Sequence, residues 1–308
     1  PVILTAGLTP AWQQILVFDA FRFGEVNRAA EAHWCASGKV FNAGIAAHRL
    51  GGPNLTLAAV GGPPLAEIDR QVNEMGLAHR WIVTQSATRV CTTILDRASH
   101  RITELVENGR PLTAAERDEF CRAYAEEAGR ADVAVVIGSL PHGVPASFYR
   151  ELVQRTPCPA VLDFRGEGLL SVLDLKPYVV KPNREELART VGRPLPTDEQ
   201  LRDAMQSLNR RGAQWVVVTQ GEGPVWVSST EKVYRLHPPE ADEIVNPIGC
   251  GDAMAAAIAW ATRQGRGIVD AVRLGIAASA SNLRQLFPGR IDATQVRDAA
   301  ASVRVEEV

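Results

Sequence analysis

The chain has 308 residues, is 46% hydrophobic and carries a net charge of −2 at pH 7. That length suits one large domain or two modest ones with a sizeable core, and the charge supplies no global basic field for nucleic acid. No apolar run approaches the roughly 20 residues that cross a bilayer, and five cysteines without metal-type spacing favour reduced, cytoplasmic thiols over a disulfide framework.

Pro1 to Leu4 reads as a first strand, too short for a signal peptide and without a basic leader. The leading proline implies a removed initiator methionine or a trimmed chain. Residues 14–36 and 89–107 alternate more than they follow a helical period. Within the second stretch, 90–95 and 101–106 read as the arms of a hairpin. The two stretches are expected to form a small β lid, or else an ordinary surface hairpin.

Thr113 with Glu116 makes a capping box for a helix through about Ala128. A buried strand over 133–137 leads into the turn Gly138-Ser139-Leu140-Pro141. Strands over 160–162 and 178–180 end at Asp163 and Lys181. Thr197 with Gln200 caps a helix through about Arg210, and a strand over 215–219 runs into Gln220-Gly221. Strands and helices in alternation predict an α/β chain with a mainly parallel sheet covered on both faces. Ligands of such sheets bind beyond the carboxyl ends of the strands, where these polar residues fall.

Three turns carry candidate chemistry. In Asn246-Pro247-Ile248-Gly249-Cys250-Gly251-Asp252, two glycines precede an acid at the start of a small-residue helix. This is either a tight turn with an N-capping aspartate, or an anion site of backbone N–H donors with a general base beside it. In Lys181-Pro182-Asn183-Arg184-Glu185-Glu186, Asn183 and Glu186 are three apart and share one helical face. They either cap a helix or order water around Mg²⁺. Thr219 to Gly223 either passes under a nucleotide phosphate or turns a hairpin.

Together these motifs resemble the PfkB, or ribokinase-like, family of carbohydrate kinases over nearly the whole chain. The nearest branch is that of 1-phosphofructokinase and tagatose-6-phosphate kinase. Leu8-Thr9-Pro10-Ala11, Phe23 to Arg28, Ser37 to Asn42 and the turns above carry the likeness. It implies one ribokinase-like domain over 1–308, a three-layer αβα sandwich with the β lid at about 14–36 and 89–107. It implies Asp252 as catalytic base, with Gly249, Cys250 and Gly251 as the anion hole. Lys181, Asn183, Glu186, Thr219, Gly221, Gly223 and, with different spacing, Asn282 fall on the nucleotide side. Gln13, Arg28, Gly38, Lys39, Asn42, Arg89 and Ser139 fall on the sugar side. Asn183 and Glu186 would hold Mg²⁺ through water. ATP and a phosphosugar are the implied substrates, and a homodimer through the lid the implied assembly.

The sugar side departs from the family pattern. Gln13 stands where an aspartate is usual, Ser37 and Val40 replace glycines, Val106 replaces an asparagine, and Arg165 follows Asp163 where a small hydroxyl residue is common. A valine at 40 is expected to disfavour a positive φ and crowd a close backbone approach. The expected activity is an ATP-dependent phosphosugar kinase converting fructose 1-phosphate to fructose 1,6-bisphosphate. Open beside it are another phosphosugar such as tagatose 6-phosphate, an unphosphorylated sugar or nucleoside, and ligand binding without efficient catalysis.

Overall fold

Short runs of fully buried aliphatic residues build the centre of this protein, as a sheet covered on both faces requires. The structure, a computed structural model, describes residues 2–240 and 243–308, so the predicted first strand begins at a residue, Pro1, outside that set. The strands are β1 (Ile3–Gly7), β2 (Ala11–Phe18), β3 (Glu31–Ser37), β4 (Asn54–Gly61), β5 (His79–Thr84), β6 (Arg89–Asp96), β7 (Arg101–Val106), β8 (Val133–Ile137), β9 (Ala160–Asp163), β10 (Val179–Val180), β11 (Trp215–Val218), β12 (Val225–Ser228), β13 (Val233–His237) and β14 (Arg304–Glu307). The helices are α1 (Lys39–Leu50), α2 (Leu65–Glu74), α3 (Ala114–Ala128), α4 (Ser147–Gln154), α5 (Gly166–Leu170), α6 (Arg184–Val191), α7 (Asp198–Arg210), α8 (Cys250–Arg263), α9 (Ile268–Leu283) and α10 (Ala293–Ala300).

The large sheet has ten strands in the order β14-β13-β12-β11-β10-β9-β8-β1-β4-β5. Neighbours from β11 to β5 pair in parallel. The next three strands pair antiparallel. The predicted glycine turn after 219 is therefore the connection of the β11–β12 hairpin. One apolar layer contains α1, α2, α8, α9 and α10, and the other contains α3 to α7. The predicted three-layer αβα sandwich is present.

Chain order fixes where a ligand can sit. From β1 the chain steps outward through β4 and β5, then returns to β8 on the other side of β1 and steps away through β9, β10 and β11. The reversal opens a crevice at the carboxyl ends of β1 and β8. There Thr9 donates its hydroxyl to the Ser139 carbonyl at 3.0 Å.

The second sheet has the order β3-β2-β6-β7. It begins at Ala11, three residues before the predicted 14, and residues 19–30 are a connection rather than strand. The hairpin over 90–106 is present as β6 and β7. Its inner face seats Ile15, Val17, Cys35 and Leu95 against Leu286 and Phe287. Capping boxes at Thr113 and Thr197 start α3 and α7 as the sequence predicts, and one at Asn183, the capping alternative for that residue, starts α6.

Candidate active site

Two helices begin at one point above the sheet. Gly249 precedes α8 with φ +89°, and a Cβ there would lie 2.9 Å from Pro288. Only glycine fits that backbone and that space. Asn246 fastens the approach, donating to the Leu286 carbonyl at 2.9 Å and accepting from Ile248 N–H at 3.0 Å. Cys250 and Gly251, in the first turn of α8, line the cleft beside Asp252; the Cys250 N–H makes a long bond of 3.3 Å to the Pro247 carbonyl. Gly38 precedes α1 with φ +86°, and its Cβ would lie 2.8 Å from Ala11 N.

Across this junction Asn42, from the first turn of α1, donates Nδ2 to Asp252 Oδ2 at 2.8 Å. The Asn42 Oδ1 accepts from Ser37 Oγ at 2.9 Å. Burial lifts the Asp252 carboxyl to about 6, against the pull of Lys39, the Asn42 hydrogen bond and Lys181. Val40 is not strained, contrary to the expectation: it is helical, 1% exposed, and its Cβ lies over Gly7, where a second Cβ would come within 2.9 Å.

Asp163, at the end of β9, ties the two lysines together. It pairs with Lys39 and with Lys181 at 2.8 Å each, and only 2% of its side chain is exposed. Burial alone would raise this carboxyl, but the two adjacent ammonium groups outweigh it and hold it at about 2. Lys39 is penalised by burial, yet Asp163, Asp252 and Glu186 raise its pKa further than burial lowers it. An ionised Asp163 beside Asp252 fits a cationic pair that faces incoming phosphate.

On the nucleotide side, Asn183 Oδ1 accepts from Glu186 N–H at 2.8 Å and Glu186 Oε2 accepts from Asn183 N–H at 3.0 Å. Asn183 thus caps α6, and both side chains also line the cleft. Thr219 bridges to Asn183 as a parallel neighbour, and Gly221 lines the same wall. Gly223 turns the hairpin outside that lining. Asn282 is fully buried and lines neither hollow: it donates to the Ile248 carbonyl at 2.8 Å and accepts from Gly289 N–H at 2.8 Å, bracing the α8 turn from beneath. Cys250 is a thiol pushed up to about 11 by burial, with Asn282 donating to its sulfur at 3.3 Å. That argues against a reactive thiolate.

On the other side, Gln13 is 2% exposed, and its Nε2 donates to Thr93 Oγ1 at 2.7 Å. Arg89 spans the base of the small sheet, with Nε, Nη1 and Nη2 donating to the carbonyls of Pro10, Glu107 and Thr9 at 3.3, 3.0 and 3.1 Å. Ser139 lines an adjoining hollow of about 530 Å³ that shares Lys39, Arg89, Asp163 and Glu186 with the main cleft of about 470 Å³. Arg28 lies exposed in the β2–β3 connection and lines neither.

Two cleft residues escape sequence reasoning. Asp163 showed only as a strand end, and its partner Lys39 is 124 positions away. Glu104 enters the main cleft from β7, beside Thr93 across the ladder. Burial raises its carboxyl, opposed by Arg89. Strand alternation puts it on the face of Cys91 and Gln13, a signal that the hairpin register carries.

Among the described residues no group of three or more His, Cys, Asp or Glu side chains could hold a metal. Asn183 and Glu186 use lone pairs on each other's N–H groups but keep others. This oxygen pair fits Mg²⁺ held through water and phosphate and does not form a protein cage.

The chain is similar over its full length to the full length of a possible 1-phosphofructokinase from Thermotoga maritima, with TM-score 0.91 and 23% identity. Phosphofructokinase-2 from Escherichia coli, in complex with fructose-6-phosphate, matches over 98% of both chains with TM-score 0.85 and 23% identity. A tetrameric inhibited form of that protein matches over 97% of this chain and 98% of its own, with TM-score 0.88 and 22% identity. At these identities the likeness establishes the ribokinase-like fold. The sequence itself matches the pfkB carbohydrate kinases over residues 11–287, so the chain belongs to the pfkB family of carbohydrate kinases and is a sugar phosphotransferase.

Proposed function

We propose that this chain transfers the γ-phosphoryl group of ATP to a primary hydroxyl of a phosphosugar, with fructose 1-phosphate giving fructose 1,6-bisphosphate as the leading assignment. The observation that carries this reading is Asp252: buried, lifted to about 6, aimed by Asn42, and set one residue from the glycine turn. A base poised just below neutral pH is mostly ionised and still takes a proton readily.

In the reaction, Asp252 accepts the hydroxyl proton as the oxygen attacks the γ-phosphorus in line, and ADP leaves with the bridging electron pair. The N–H groups of Cys250 and Gly251 stabilise charge on the transferring group. Lys181 serves the nucleotide phosphates, while Lys39 faces both substrates. Asn183 and Glu186 would hold Mg²⁺ through water, and the ion would offset charge on the ATP phosphates. Arg89 and Ser139 edge the hollow in which the sugar's own phosphate is placed. Gln13 and Glu104 face its hydroxyls. The small sheet acts as a lid that excludes water from the transfer.

ADP release measured with fructose 1-phosphate, fructose 6-phosphate, tagatose 6-phosphate, free fructose and a nucleoside tests the acceptor. Turnover on fructose 1-phosphate with the highest kcat/KM is expected. Asp252→Asn should keep ATP affinity and lose about 10²–10⁴ in kcat. A variant with full turnover removes the base assignment, and turnover confined to an unphosphorylated acceptor removes the phosphosugar assignment.

A further inference from the structure

We infer that Ser37 is a positioning residue for the base: its hydroxyl fixes the Asn42 amide so that the amide donates to Asp252 whether or not that carboxyl carries a proton. This rests on the reading of Asp252 as base.

The three side chains form a closed buried chain, 1%, 2% and 6% exposed at Ser37, Asn42 and Asp252. Ser37 Oγ donates to Asn42 Oδ1 at 2.9 Å, and Asn42 Nδ2 donates to Asp252 Oδ2 at 2.8 Å. Gly289 packs against the Asn42 backbone, where a Cβ would come 2.5 Å from its main-chain carbonyl oxygen, and a Cβ at Gly249 would lie 3.4 Å from the side-chain Nδ2.

An amide can present either its NH₂ or its oxygen to a carboxyl. An ionised carboxylate demands the NH₂. A protonated carboxyl accepts either, because it can donate its own proton to the amide oxygen. Free rotation of Asn42 would therefore reward the protonated state, raise the carboxyl's midpoint and leave less of the base ionised in its working range. Ser37 opposes that. With the amide turned, the Ser37 hydroxyl would face an NH₂ and lose the Asn42 Oδ1 acceptor that takes its proton. A buried unsatisfied donor is costly. The hydroxyl thus keeps Asn42 in the donating orientation and favours the ionised base.

Other groups bear on the same carboxyl. Lys39 from α1 and Lys181 after β10 favour its ionised form, Asp163 from β9 opposes it, and the neighbouring Cys250 is a neutral thiol. None of them depends on Ser37 for its position through any hydrogen bond among the described residues.

The test is a ¹³C NMR titration of carboxyl-labelled aspartates, with the Asp252 signal assigned by its loss in Asp252→Asn. In Ser37→Ala and Ser37→Gly the Asp252 midpoint should rise by about 0.5–1 pH unit, the size of one net hydrogen bond. The acid limb of kcat/KM should move with it, and Ser37→Thr, which restores a hydroxyl, should bring both back. Folding of each variant is checked by its thermal melt. Midpoints in Ser37→Ala and Ser37→Gly within about 0.2 unit of the parent overturn the inference. The titration reads the carboxyl directly, so its outcome stands even if the Asp252→Asn kinetics remove the base assignment.

Discussion

Asp252 must be buried to be a strong base and ionised to be a base at all. Burial puts its folded-state pKa at about 6, above the unfolded value near 3.9. The folded state therefore binds the proton more tightly than the unfolded chain. The ionised carboxylate is a cost to folding that is fully present above pH 6 and absent below about pH 4. Asp252→Asn, besides losing turnover, should therefore be more stable than the parent at pH 8 by about 1–3 kcal/mol, with the gain vanishing near pH 4. Denaturant melts at the two pH values check this, and an equal gain at both would contradict it. Asp163 has the opposite balance. Its removal as Asp163→Asn leaves Lys181, 4% exposed, and Lys39 without the carboxylate that pairs directly with both. A loss of about 3–5 kcal/mol is expected in urea unfolding. The sequence displays Asp252 because glycines and a helix start surround it locally. It hides Asp163 because that residue's meaning lies in two lysines that only the parallel sheet brings to it.

At the level of elements, the site is a meeting of two helix starts, and their capping chemistry was legible. Gly38 and Gly249 announce positive φ, and Asn183 with Glu186 announces a capping box. The outcome at Val40 was not legible, since its fit depends on Gly7 in a different strand having no Cβ. Likewise Asn282 sits on α9 with the right polarity for a ligand, but packing turns it toward the α8 turn. The small sheet is fastened at its base by Arg89, whose three donors reach backbone carbonyls of the segment that enters β2 and the one that leaves β7. Arg89→Ala should loosen that sheet and raise the acceptor KM about tenfold or more, with a smaller change in the KM for ATP. Arg89→Lys should not restore it, because a single ammonium cannot reproduce the planar fork. Steady-state kinetics with each substrate varied in turn decides this, and equal effects on both KM values would point to general disruption of the cleft.

For the molecule as a whole, the alternation of strands and helices made the layered sheet legible. The crevice at β1 and β8 follows from strand order, which pairing alone reveals. The same order leaves the small sheet with one face on the cleft and the other turned away from it, partly covered where Trp12 packs against the main core and Gln71 of α2 bonds the Ala36 N–H and the Trp34 carbonyl. On that outer face Trp12 stacks on Trp34 with ring centroids 5.7 Å apart, and Leu105 is 55% exposed. The β2–β3 connection adds Phe23 and Val26, at 98% and 91% exposed. Exposed apolar side chains of this kind are costly in water and gain by meeting a like surface. A second copy of the same sheet offers that surface with two-fold symmetry, since a self-complementary patch closes as a pair. The chain should therefore sediment at twice its 33.3 kDa mass at micromolar concentration. Charges placed in the patch, as Phe23→Glu with Leu105→Glu, should shift it to single chains while the melting of the main sheet stays unchanged. A parent protein that sediments as single chains, or a double variant that stays paired, would assign these exposed side chains no role in assembly.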